Sequence, residues 1–223
     1  MGKEILERWG YVQTVVSPLE SCSFKYCNIE KGLLEVIAGD GDIALFLMIL
    51  RKYIETWASY NEKFDVVELG VRGGHSTYAI LSALNSAKKL RSTYSEDWQN
   101  TKPSYFLHSC DILDCTDSVE GHIEKGLLSM WNFYKMDSII FGKIAISDVE
   151  PNIIFMDTDH THEQQLGELE VWAPRLKSGG RIFIHDTSIS DVGEAIEDFL
   201  KDNPDWNYYN IDVFTGMGVL DKP

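Results

Sequence analysis

Basic residues are scarce in this chain. Its 223 residues carry 20 Lys and Arg against 35 Asp and Glu, a formal net charge of −15 with a sequence pI near 4.7. Binding to nucleic acid or to an anionic membrane rests on Lys and Arg neutralising phosphates, and no basic run is present, so neither partner is expected. Cysteine is scarce too: Cys22, Cys27, Cys110 and Cys115. No C-x-x-C pair or zinc-ligand spacing occurs among them, which points to free thiols. No signal peptide is apparent at residues 1–10, and the expected location is the cytoplasm. Long apolar runs are missing as well, for Ile43–Leu50 is ended by Arg51 and Lys52, far short of a membrane span. Internal repeats and low-complexity tracts are absent.

What remains, 44% hydrophobic and 25% charged residues, suits a globular protein large enough for one α/β core. The stretch that organises it is Phe64-Asp-Val-Val-Glu-Leu-Gly-Val-Arg-Gly-Gly-His-Ser-Thr77. Val66 to Leu69 reads as a buried strand. Gly70, Gly73 and Gly74 form a loop, and Ser76 or Thr77 can cap a helix with Ile80, Leu81 and Leu84 on its apolar face. A strand, a glycine turn and a helix start place backbone N–H groups and a helix dipole toward a ligand. The spacing is Gly70-x-x-Gly73-Gly74, with Arg at 72, so the G-x-G-x-x-G dinucleotide fingerprint is not met. No Lys follows as a P-loop requires. Glu68 at the strand end disfavours a pyrophosphate and suits a cationic ligand.

Residues 1–60 read as a helical cap or flank, irregular around Ser17–Asn28 and with a helix from Ile43 to about Trp57; residues 61–223 read as the main domain. Ala87–Lys102 is a long loop or a helix extension. Tyr105–Cys110 is the second strand, ending at Asp111, where an acid binds ribose hydroxyls in a doubly wound sheet. Asp117–Trp131 is expected as a helix and Ser138–Phe141 as the third strand. Asn152–Asp157, apolar without alternation, is a strand buried on both faces. Glu163–Trp172 is a helix, and Arg181–Ile184 is the fifth strand, ending in His185-Asp186. Ser190–Leu200 is an amphipathic helix, stopped by Asn203-Pro204. Trp206–Val213 and Met217–Leu220 pair as an antiparallel hairpin.

Ligands of open parallel sheets sit at the carboxyl ends of the strands. The polar residues expected there are Glu68, Asp111, Asp157, Asp159, His160, His185 and Asp186. Gathering so many ionisable groups is costly unless they bind something. Among the histidines, His160 either caps the following helix or acts as a base. His75 and His108 read as structural, and His122 and His162 carry no signal.

The glycine loop closely resembles motif I of class I S-adenosylmethionine (SAM)-dependent methyltransferases. Ile154-Phe-Met-Asp-Thr-Asp-His160, Leu169-x-x-Trp172-Ala-Pro-Arg-Leu-Lys-Ser-Gly-Gly180 and Ile184-His-Asp186 are similar to later motifs of one such family. It includes cephalosporin-cluster, macrolide-sugar and rhamnosyl O-methyltransferases and, more distantly, catechol O-methyltransferases. The resemblance runs from Phe64 to the C-terminal residue and implies a Rossmann-like, doubly wound, mostly parallel seven-stranded sheet with a C-terminal antiparallel hairpin. It implies SAM held by Glu68, Gly70, Val71, Arg72, Gly73, Gly74, Ser76, Thr77 and Asp111. It further implies methylation of a small polyhydroxylated or sugar-like acceptor, with His160 as general base beside Asp157. A divalent metal, Mg2+ or Mn2+, would be held by Asp157, His185 and Asp186. The family places an acid where His185 stands, and an imidazole is a poorer magnesium ligand than a carboxylate. Whether oxygen, nitrogen or carbon is methylated stays open. A second copy of the chain is compatible with this reading. A non-catalytic SAM-binding module and an NAD-dependent oxidoreductase on a related fold are the alternatives.

Overall fold

A computed structural model describes residues 41–94, 102–144, 146, 148–188, 191–211 and 215–223. The expectations for residues 1–40, including the irregular stretch and Cys22 and Cys27, lie outside the described residues. The chain runs α1 (Gly41–Ser59), β1 (Lys63–Leu69), α2 (His75–Tyr94), β2 (Ser104–Asp111), α3 (Thr116–His122), α4 (Lys125–Leu128), β3 (Trp131–Lys135), α5 (Ser138–Ile144) and β4 (Ile153–Met156). It continues with α6 (His162–Trp172), a 3-10 turn (Ala173–Arg175), β5 (Arg181–His185), α7 (Val192–Asp202), β6 (Asn207–Ile211) and β7 (Met217–Asp221).

The seven strands form one sheet in the order β3-β2-β1-β4-β5-β7-β6. β1 pairs in parallel with β2 and β4, β2 with β3, and β4 with β5, while β7 runs antiparallel to both β5 and β6. The order reverses between β1 and β4, the switch point at which loops of an open α/β sheet diverge and leave a crevice.

Side-chain alternation divides the strands between two layers. Phe64, Val66, Leu107, Phe155, Phe183 and Val219 face α1 and α2, where Phe46, Ile49, Leu50, Ile54, Ile80 and Leu84 close the core. Val67, Leu69, Ile154, Met156, Ile182 and Ile184 face α5, α6 and α7, packing on Phe141, Leu169, Trp172, Ile196 and Phe199. With both faces covered, the inner strands need no polar side, and all four residues of β4 are buried. α1 is thus a full layer of the main core. Ala87–Lys102 is a helix extension as far as Tyr94.

Two expectations are corrected. Ser138–Phe141 is the start of α5, because Asp137 Oδ1 accepts the backbone N–H groups of Ile139 and Ile140 and nucleates a helical turn. The third strand is Trp131–Lys135 instead, and the expected helix at Asp117–Trp131 is broken at Ile123–Glu124 into α3 and the single turn of α4. Cys110 and Cys115 are buried free thiols, and burial raises both above the ordinary thiol range. Among the described residues no helix is long and apolar enough to cross a membrane.

Candidate functional site

The loop after β1 begins at Gly70, whose φ of +90° is open to glycine at little cost. A Cβ there would overlap the carbonyl oxygen of Asp157 and stand 2.8 Å from its carbonyl carbon. The glycine loop therefore lies directly on the backbone that ends β4. Gly70 N–H donates to Cys110 O, and Asp157 N–H donates to Leu69 O, each at 2.9 Å. Gly74, also at positive φ, abuts Val119 of α3 and leads into α2.

Asp111, at the end of β2, holds this loop in place. Its Oδ2 accepts from Val71 N–H at 2.9 Å and Arg72 N–H at 3.0 Å, and its Oδ1 from Leu113 N–H at 2.9 Å. Burial alone would raise its pKa; the backbone N–H groups outweigh that and lower it, so the carboxylate is charged at neutral pH. Arg72 is exposed, with a φ of +48°.

Glu68 is a departure from expectation. Its side chain has no accessible surface, so the carboxyl lines no open pocket. It accepts from Thr77 Oγ1 at 2.9 Å and Ser109 Oγ at 2.5 Å, tying β1 to β2 and to the first turn of α2. Burial pushes its pKa up to about 7, against lowering by the hydroxyls of Ser109, Ser76 and Thr77. The Thr77 hydroxyl is spent on Glu68 rather than on a cap, and Ser76 is buried beside it. These three residues support the glycine loop from behind.

The sharper feature lies across the switch point. Asp157 and His160 follow β4, His185 ends β5, and Asp186 comes next with a φ of +59°, rare for a residue with a side chain. Their polar atoms alternate around one point. His160 Nε2 lies 3.2 Å from Asp157 Oδ1 and 3.2 Å from Asp186 Oδ2. His185 Nδ1 lies 3.4 Å and 3.2 Å from the same two oxygens. The Asp157 carboxylate raises the His160 pKa, overcoming burial, and Asp186 adds to the effect. For His185, burial of the ring opposes protonation and the two carboxylates outweigh it. Asp157 is held far below the usual carboxylate range: burial opposes ionisation, and both rings overcome it.

The helix after the cluster is capped by Thr161, which accepts from Gln164 N–H at 3.4 Å, so His160 is free of that duty. Asp159 is exposed and outside the cluster. His108 is a buried core residue 3.7 Å from Asp65, and His162 pairs with Asp198 of α7 at 2.9 Å. Glu168, fully buried on α6, accepts from Thr158 Oγ1 at 2.7 Å and from Ser138 Oγ, anchoring the 157–160 loop. Its signal is a charge at core-facing helical spacing with Gln165, Leu169 and Trp172.

A sheet of this order, with a glycine loop at β1 and carboxylates at the ends of β2, β4 and β5, defines a class I methyltransferase fold. The two ionised carboxylates Asp111 and Asp157 at the crevice fit a sulfonium cofactor, which is a cation, better than a pyrophosphate. The sequence profile of a family described as "Methyltransferase domain" matches residues 67–187, more than half of the chain. The chain belongs to that methyltransferase family and to the SAM-dependent enzyme class. No curated protein matches it by sequence. Among solved structures it is similar to an O-methyltransferase from Bacillus cereus in complex with SAH, with a TM-score of 0.59 at 15% identity over 92% of this chain and 96% of that one. A Staphylococcus aureus protein provisionally assigned as a caffeoyl-CoA O-methyltransferase superposes with a TM-score of 0.53 at 13% identity, over 78% and 83% of the two chains. A Clostridium thermocellum protein provisionally assigned as an rRNA methylase gives 0.54 at 15%, over 76% and 95%. Identities so low establish a shared fold and leave the acceptor to the site itself.

Proposed function

We propose that this protein transfers a methyl group from SAM to an oxygen of a small hydroxylated acceptor, such as a polyol or sugar. The observation that carries the reading is the contact of Gly70 with the Asp157 backbone, which sets the cofactor loop against a cluster of two histidines and two aspartates. A SAM-sensing module needs no such cluster, and an NAD-dependent oxidoreductase would use a different glycine fingerprint. The net charge of −15 weighs against a nucleic-acid acceptor.

Held by loop 70–74, SAM would supply a methyl group activated on a sulfonium sulfur, which would keep the bonding pair as the carbon passes to the acceptor oxygen. The chain has two tasks beside this. The first is alignment, for which the loop 70–74, held by Asp111, and the cluster supply fixed walls on either side of the switch point. The second is removal of the acceptor hydroxyl proton. His160, partly exposed and backed by Asp157, supports the role of proton acceptor.

The test is incubation of the full chain with SAM and a panel of polyols, sugars and glycosides, reading S-adenosylhomocysteine release and a one-methyl mass gain on the acceptor. Release with an oxygen-methylated product is expected, and His160→Ala is expected to keep SAM affinity by calorimetry while losing turnover. SAM binding with no transfer to any hydroxyl, or methylation at nitrogen alone, overturns the reading.

A further inference from the structure

Glu168 places a carboxyl group with no accessible surface on the face of α6 that also buries Gln165, Leu169 and Trp172. Its hydrogen bonds converge on one oxygen. Oε1 accepts from Thr158 Oγ1 at 2.7 Å, from Gln164 Nε2 at 3.0 Å and from Ser138 Oγ. Oε2 is buried with no hydrogen-bond partner among the described residues. Burial raises the pKa of the group, against lowering by Ser138, Gln164 and Thr158. A buried carboxyl satisfied at one oxygen costs stability, and an apolar side chain of similar volume would fill the position at less cost. What the carboxyl supplies is a fixed point for three donors.

We propose that Glu168 is a positioning residue for methyl transfer, acting through Thr158 to hold the 157–160 loop, and with it His160, at a set place relative to the cofactor side. The proposal rests on the reading of His160 as proton acceptor, and it gives Glu168 no contact with SAM or with the acceptor.

Three observations carry it. Thr158 follows Asp157 directly and stands two residues before His160, so a displacement of its side chain is passed to both. The far end of the link is braced. Ser138 opens α5, its hydroxyl accepts from Gln164 Nε2 at 2.8 Å, and its carbonyl accepts from Trp172 Nε1 at 3.0 Å. Beside Glu168, Gly167 lets α5 come so near that a Cβ there would stand 2.8 Å from Ile139 Cδ1. Finally, the brace continues to the cofactor side. Met136, two residues before Ser138, donates its N–H to Asp111 O at 2.9 Å, and the Asp111 carboxylate holds the N–H groups of Val71 and Arg72. The walls on either side of the switch point are thus joined through Glu168. Transfer between them depends on alignment, where a misplacement of about 1 Å can cost about 100-fold in rate.

The experiment compares the full chain with Thr158→Val, Glu168→Met and Glu168→Gln. It reads SAM affinity by calorimetry, turnover on the acceptor selected from the panel of polyols, sugars and glycosides, and the NMR signals of the His160 ring, assigned by their loss in His160→Ala. Thr158→Val and Glu168→Met are each expected to lower kcat by about 10- to 100-fold, with acceptor KM and SAM affinity held within about threefold. Both should move the His160 ring signals and leave those of His122, on α3, in place. The double variant should be no slower than the slower single one, because both substitutions remove the same link. Glu168→Gln keeps an acceptor oxygen for Thr158 and should stay within about threefold of the parent kcat. Thr158→Val leaves the core carboxyl in place and so guards against loss by misfolding. Parent-level kcat in Thr158→Val, unmoved His160 signals in both variants, additive losses in the double variant, or Glu168→Gln as slow as Glu168→Met each overturn the proposal. A parent chain that methylates no hydroxyl of the panel overturns the proposed function instead, and the His160 signals then still decide whether Glu168 sets the loop.

Discussion

Gly70 and Asp157 share one space: the hydrogen of the first occupies the position where a methyl group would meet the carbonyl of the second. The residue that opens the glycine loop and the residue that opens the cluster of histidines and aspartates are thus packed backbone to backbone. The distance between the two halves of the site is set by the absence of a side chain.

Gly70→Ala should therefore be costly in two ways. A non-glycine residue at φ +90° is strained, and the new methyl forces β1 and β4 apart at their ends. Stability is expected to fall by roughly 2–4 kcal/mol in urea unfolding, with SAM affinity lost. Near-normal SAM affinity in this variant would mean that the cofactor does not rest on this loop.

Asp111 offers a second lever. It is an acceptor for three backbone N–H groups, and hydrogen bonds to a charged partner are worth about 1.5–3 kcal/mol each. Asp111→Ala is expected to weaken SAM binding by about 10- to 100-fold in calorimetry, with Asp111→Asn between it and the parent. Equal affinity in all three proteins would remove Asp111 from the cofactor site.

Glu68 makes stability depend on pH with a defined sign. Its folded pKa is raised from 4.5 to about 7 by burial, so the folded state binds more protons than the unfolded one between these values. The contribution is fully present below pH 4.5 and is lost as pH rises through about 7. Glu68→Gln stays neutral throughout, and relative to it the parent should lose roughly 3 kcal/mol from pH 4.5 to pH 8. Unfolding curves that run parallel across this range would show that Glu68 is ionised in both states.

Much of this was written in local sequence. The glycine loop, the buried strand at 153–156 and the amphipathic helix before Asn203-Pro204 each carry their own period and punctuation, and the structure follows them. The third strand did not announce itself. Trp131-Asn-Phe-Tyr-Lys135 lies at the sheet edge, only partly buried, so it lacks an apolar run, while Ser138-Ile-Ile-Phe141 has one and is helical because Asp137 precedes it. The cluster was legible as a set of residues but not as an arrangement. That His160 faces Asp186 as well as Asp157 depends on a contact between two loops 26 positions apart, and no spacing rule encodes it. Glu68 reads as a ligand group from its place after Val67; only the hydroxyls of Thr77 and Ser109, from two other elements, reveal it as a support.

The place of β7 in the sheet has a consequence for how the protein is made. It follows β6 in the chain, yet it lies inside the sheet, between β5 and β6. During synthesis β5 emerges with one edge open, and β6 then emerges with no neighbour to join. Both wait for Met217–Asp221. An unpaired edge is a template for another chain, so until β7 docks, the open edge of β5 is where a second copy could pair.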